Sequence, residues 1–165
     1  MTAITTIRST LLRIAAVASL ALWWGGFTFY AARVVPIGNE MLHSKLRQGA
    51  ITQKVTGELN LLAMVAFAAV GASMLSSKPR TPRFAWSCLA IAIISTAALF
   101  LVRNKLNGMF DPAARDLVDP RGFHHLHEVY LTIATVQWGA ASLLLIVLQL
   151  ATKSSPSGEE ARQSA

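Results

Sequence analysis

Residues 14–35 read IAAVASLALWWGGFTFYAARVV, twenty-two positions with one charge, Arg33. An α-helix needs about 20 apolar residues to cross the hydrocarbon core of a bilayer. No water is available there to satisfy a free backbone amide, so a helix is the only form in which such a stretch can cross alone. Three further segments repeat the pattern, at residues 59–75, 84–102 and 129–151. The sequence therefore predicts an all-α fold, a four-transmembrane-helix bundle over residues 1–152. A disordered polar tail, KSSPSGEEARQSA, is expected over residues 153–165.

Composition agrees with this reading. The chain is 53% hydrophobic and only 14% charged, too apolar for a soluble domain of its length. Its net charge is +7, but the basic residues are spread along the helix flanks, where they meet lipid headgroups. Lipid is the expected partner, and nucleic acid is not. Arg8 and Arg13 precede the first apolar run as in a secretory signal, yet that run continues without a small-x-small site at its end, so an uncleaved anchor is expected. Cys88 is the single cysteine, which excludes an intrachain disulfide.

The connections are unequal. Pro36 to Glu58 is polar and long enough for a short surface helix, with Met41, Leu42 and Leu46 on one side. Ser76 to Arg83 is short and holds two prolines, predicting a tight antiparallel pair between the second and third helices. Arg103 to Glu128 is the longest. With four crossings, the first and third connections share one membrane face, so His43, His124, His125 and His127 all lie on the same side. Of 15 Lys and Arg, seven (Arg8, Arg13, Lys78, Arg80, Arg83, Lys153, Arg162) fall on the side of the termini, leaving eight opposite. The basic density of Ser76 to Arg83 places both termini in the cytoplasm, in a bacterial inner membrane.

Helical periodicity sorts the first helix into two faces. Ala18, Ala21, Gly25, Thr28 and Ala32 form a stripe of small residues, with Trp23, Phe27, Tyr30 and Val34 opposite. Small residues let membrane helices approach closely. The small stripe is therefore expected to face the bundle and the aromatic side to face lipid or a loosely packed neighbour. The alternative is a ligand groove lined by Trp24 and Thr28. On the fourth helix, His124, Glu128, Leu131, Thr132, Thr135, Trp138, Gly139, Ser142, Ile146 and Gln149 share a polar face. Local bonding of its hydroxyls to backbone carbonyls is the expectation. Gln137 falls near the opposite, lipid side, so it either marks a rotated wheel or reaches another helix. Arg33 with Glu58, or Arg103 with Glu128, would make ion pairs near the helix ends.

The stretch RGFHHLHEVY, residues 121–130, carries the clearest chemistry. If helical, it brings His124, His127 and Glu128 onto adjacent turns. Imidazole and carboxylate suit zinc, copper or iron, and His43, Asp111, Asp116 or Asp119 could complete a ligand set from the same face. A structural collar of interfacial imidazoles, with Glu128 near the positive end of the helix, is the competing reading. Haem between helices is disfavoured because no second histidine lies inside any apolar run.

The pairing of LWWGGFTFYAARVVP with a late F-x-x-L-H-x-x-Y, here Phe123, Leu126, His127 and Tyr130, resembles the family of transmembrane protein 205. That resemblance implies four membrane helices and no established activity, and it maps onto Gly25 or Gly26, Pro36, Phe123 and His127. A fainter likeness is to copper-resistance D membrane domains, through an aliphatic-Trp-Gly first helix.

Together these readings describe a small non-enzymatic integral membrane protein. Its candidate cofactor is a transition-metal ion at His124, His127, Glu128 and His43. The alternatives are a haem- or quinone-binding subunit of a redox enzyme, or a scaffold that binds a membrane protein or a second copy through its first helix.

Overall fold

A computed structural model describes residues 2–42, 45–76, 82–111, 116–117 and 119–153. Helix α1 (Thr2–Phe29) passes through a π-turn (Tyr30–Val34) into α2 (Val35–Met41). Helices α3 (Lys45–Ser76), α4 (Arg83–Gly108) and α5 (Pro120–Lys153) follow. Between α4 and α5, Phe110–Asp111 and Asp116–Leu117 form a two-residue antiparallel ladder, with Phe110 opposite Leu117. The architecture is an all-α four-helix bundle. Four helical spans, Ile7–Met41, Arg47–Ser76, Arg83–Gly108 and Pro120–Leu150, are long and apolar enough to cross a membrane.

The helices outrun the apolar segments because hydropathy marks the part that meets hydrocarbon, while the flanks remain helical beyond it. Pro36 to Glu58 is thus no long polar connection. Residues 35–41 prolong the first helix, and α3 already begins at Lys45. The π-turn lies directly before Pro36, where Val35 N–H bonds to Tyr30 O, five residues back. A proline ring clashes with the carbonyl four residues before it, and a widened turn relieves that clash. At the other end of the chain, α5 starts nine residues before the apolar run at Val129. The Asp119 carboxylate accepts the amides of Arg121 (3.2 Å) and Gly122 (3.0 Å). Asp119 and Pro120 are an N-cap and first-turn pair, and this signal was present in the sequence. RGFHHLHEVY is consequently helical, not part of a loop. Residues 154–165 and His43 lie outside the described residues.

The helices form a ring in which α1 packs extensively on α3 and α4 on α5, while α3–α4 and α1–α5 touch more sparingly. Among the described residues, Trp23, Leu20, Phe67, Val70, Leu99 and Leu144 are the large apolar side chains fully shut inside, together with Gln137. Trp23 meets Phe67 edge-on at 5.3 Å between ring centroids and stacks on Phe27 at 5.7 Å.

This reverses the expected faces of α1. The aromatic side, Trp23, Phe27 and Tyr30, points inward, whereas Ala18, Ala21 and Ala32 are exposed. The reason lies in α3, which contributes buried Ala63 and Ala66 beside Phe67 to the same cluster. Small residues do set the close approach, but on the partner helix, and large aromatics from α1 fill the space they leave.

Candidate functional site

Two regions could carry function: the histidine-bearing start of α5 and the seam between α1 and α5. At the first, His124 and His125 are exposed, as is Glu128, while His127 is half-buried. The His127 ring stacks parallel on Phe123, centroids 6.2 Å apart, as residues one turn apart on a helix can. Tyr130 turns into the bundle instead, where its hydroxyl accepts the Asn60 side-chain amide at 3.3 Å. The helix thus separates its motif into an interfacial part, Phe123 to Glu128, and an anchoring tyrosine. Among the described residues, no three His, Cys, Asp or Glu side chains gather into a group able to hold a metal ion.

Arg103, on the same side, turns toward α3 rather than toward Glu128. Its Nη2 donates to Gln53 O at 3.2 Å. The guanidinium lies against Gly57, where any Cβ would collide with it. Gln53 in turn bonds Asn107, so α3 and α4 are tied by polar groups at this end.

The seam is more specific. Trp24 on α1 stacks on Trp138 of α5, ring centroids 5.6 Å apart and planes 19° from parallel. Trp24 Nε1 donates to Ser142 Oγ at 2.8 Å, and Trp138 Nε1 donates to Thr28 Oγ1 at 2.9 Å. Each hydroxyl then donates its own proton to the carbonyl one turn back on its own helix: Thr28 to Trp24 O (2.7 Å) and Ser142 to Trp138 O (2.8 Å). The result is a closed reciprocal clasp. Each helix supplies a tryptophan and, four residues on, a hydroxyl. Because α1 and α5 run antiparallel, each tryptophan meets the other's hydroxyl. An indole N–H inside lipid has no water to bond, so the clasp removes two such costs at once.

Beside the clasp is an open groove of ≈ 320 Å³ lined by Phe27, Thr28, Ala31, Ala32, Thr135 and Trp138. Ala31 and Ala32 belong to the π-turn. The sequence offered a groove lined by Trp24 and Thr28 only as the alternative to helix packing, and of the two Thr28 alone lines this one; the clasp was not legible there, because the i, i+4 spacing of an aromatic and a hydroxyl is common in either helix alone. Only their pairing gives it meaning.

Gln137 resolves the ambiguity of its wheel position: it is fully buried and its Nε2 donates to Thr96 Oγ1 on α4 at 2.7 Å. The remaining hydroxyls of the α5 polar face bond locally, Thr132 to Glu128 O (3.0 Å) and Thr135 to Leu131 O (2.9 Å). These local bonds are the arrangement expected from the sequence.

No family model matches the chain, and no curated protein or solved structure does so either.

Proposed function

We propose that the chain is a non-enzymatic membrane scaffold that associates with a second copy of itself through the outward face of α1. The carrying observation is the stripe Ala18, Ala21, Gly25, Thr28 and Ala32. Its spacing of three, four, three and four residues is that of a helix–helix seam, and it holds only small residues, which suit close packing in lipid. Thr28 is engaged by Trp138 in the α1–α5 seam, but the bundle leaves the rest of the stripe uncovered: Ala18, Ala21 and Ala32 are exposed, and a Cβ at Gly25 would meet nothing within 4 Å. A stripe of this kind matches itself under a two-fold axis, as an isologous contact requires. This reading rests on geometry within the described residues, whereas metal handling at His124, His127 and Glu128 does not.

Gly25→Leu tests the reading, because a Cβ at this position meets nothing within 4 Å. Single-molecule photobleaching of the labelled protein in bilayers is expected to show dimers for the parent chain. The variant should lose at least about tenfold in association constant, equivalent to roughly 1.4 kcal/mol. A parent chain that is monomeric at all protein-to-lipid ratios, or a variant that dimerises equally well, would sink the proposal. We place the scaffold in a bacterial inner membrane with both termini cytoplasmic. Reporter fusions to either terminus would read that orientation directly.

A further inference from the structure

We infer that the α1–α5 seam is a lateral opening of the bundle, with the Trp24–Thr28/Trp138–Ser142 clasp as its latch. Four observations lead there. First, the ring is uneven: α1 with α3 and α4 with α5 form two closely packed pairs, and these pairs meet across two sparing seams. Packed pairs move as bodies and sparing seams yield, since stability is distributed with contact density. Second, the α1–α5 seam carries the open ≈ 320 Å³ groove, lined from Phe27 to Ala32 on α1 and by Thr135 and Trp138 on α5.

Third, the backbone of α1 departs from α-helical geometry at the same place, in the π-turn Tyr30–Val34. Such insertions recur where helices must deform. Fourth, each pair carries two buried polar side-chain atoms with no partner among the described residues. On the α1–α3 side they are Trp23 Nε1 and Tyr30 OH, and on the α4–α5 side they are Arg103 Nε and Gln137 Oε1. An unmet polar atom in a membrane interior raises the free energy of the arrangement that holds it. The closed packing therefore carries a cost on both walls. What keeps the closed state is the latch, which makes two hydrogen bonds across the seam, with Arg13 Nη2 donating to Leu148 O nearer one end.

The inference is separate from self-association, because it concerns movement within one chain. It is tested with spin labels at exposed positions in full-length protein carrying Cys88→Ser, reconstituted at high lipid excess. Leu22 with Ile146 reports α1 against α5, Leu22 with Val65 reports α1 against α3, and Ile94 with Val136 reports α4 against α5. In the parent chain the α1–α5 distance distribution should contain a minor longer component. Thr28→Val with Ser142→Ala leaves both indoles without acceptors, and the longer component should at least double while the other two distributions stay as they were. Thr28→Ser with Ser142→Thr keeps both hydroxyls and should restore the parent distribution. An α1–α5 distribution that stays single and narrow in the latch variant overturns the inference. Equal broadening of the α1–α3 or α4–α5 distances would also overturn it, since the pairs would then not move as bodies.

Discussion

Gln137 illustrates how a polar side chain behaves when it is shut inside a bundle. Its amide nitrogen bonds Thr96, yet its oxygen has no partner among the described residues. Removing both members of a buried pair can be nearly neutral, whereas removing one strands the other at about 1–3 kcal/mol. Gln137→Leu is therefore expected to leave the thermal unfolding midpoint in detergent unchanged or raise it. Thr96→Val should lower it, because the Gln137 nitrogen then loses its acceptor as well. The reverse order of the two midpoints would show that Gln137 is better satisfied than its geometry implies. Gly57 makes a second residue-scale case. In Gly57→Ala the new methyl displaces the Arg103 guanidinium and breaks its bond to Gln53 O. The side chain tip can move without disturbing backbone, so the loss is about 1 kcal/mol, that of one hydrogen bond at a partly exposed site. A double variant with Arg103→Met should show no further effect of the alanine.

At the scale of elements, the start of α5 depends on Asp119. Replacing an N-cap aspartate by alanine costs about 1 kcal/mol, and Asp119→Ala should fray the turns bearing His124 and His127 while leaving the clasp intact. Hydrogen exchange that quickens over residues 121–128 but not over 135–145 is the expected pattern. Protection lost equally across α5 would contradict it. This element also shows where reading hydropathy alone misleads. The apolar run begins at Val129, but the cap and proline at 119–120 begin the helix, since a helix boundary is set by backbone hydrogen bonding and not by lipid contact. The reversed faces of α1 have a different origin. Periodicity separates the small stripe from the aromatic one correctly, but which of the two turns inward is settled by what α3 offers opposite. Buried Ala63 and Ala66 on α3 leave room that Trp23 fills.

For the molecule as a whole, the question is how two helix pairs hold together across sparing seams. Arg13 Nη2 donating to Leu148 O (3.1 Å) ties α1 to α5 near one end, and the clasp ties them further along. Hydrogen bonds between membrane helices average about 0.6 kcal/mol with an upper value near 1.7. Trp138→Phe, which deletes one clasp bond but keeps the ring, should thus destabilise the bundle by no more than about 2 kcal/mol. A much larger loss in detergent unfolding would mean that the seam, not the pairs, is the main source of stability.

The sequence by itself determined that four helices cross a membrane, because hydrocarbon accepts no other arrangement of such apolar runs. It determined the local bonding of the Thr132, Thr135 and Ser142 hydroxyls, whose acceptors lie one turn back on the same helix. Only the tertiary structure decided which side of α1 is buried, where Gln137 and Arg103 point, and that Trp24 and Trp138 exchange partners. Those outcomes depend on the shape and chemistry that another helix presents, and no single segment encodes its neighbour's surface.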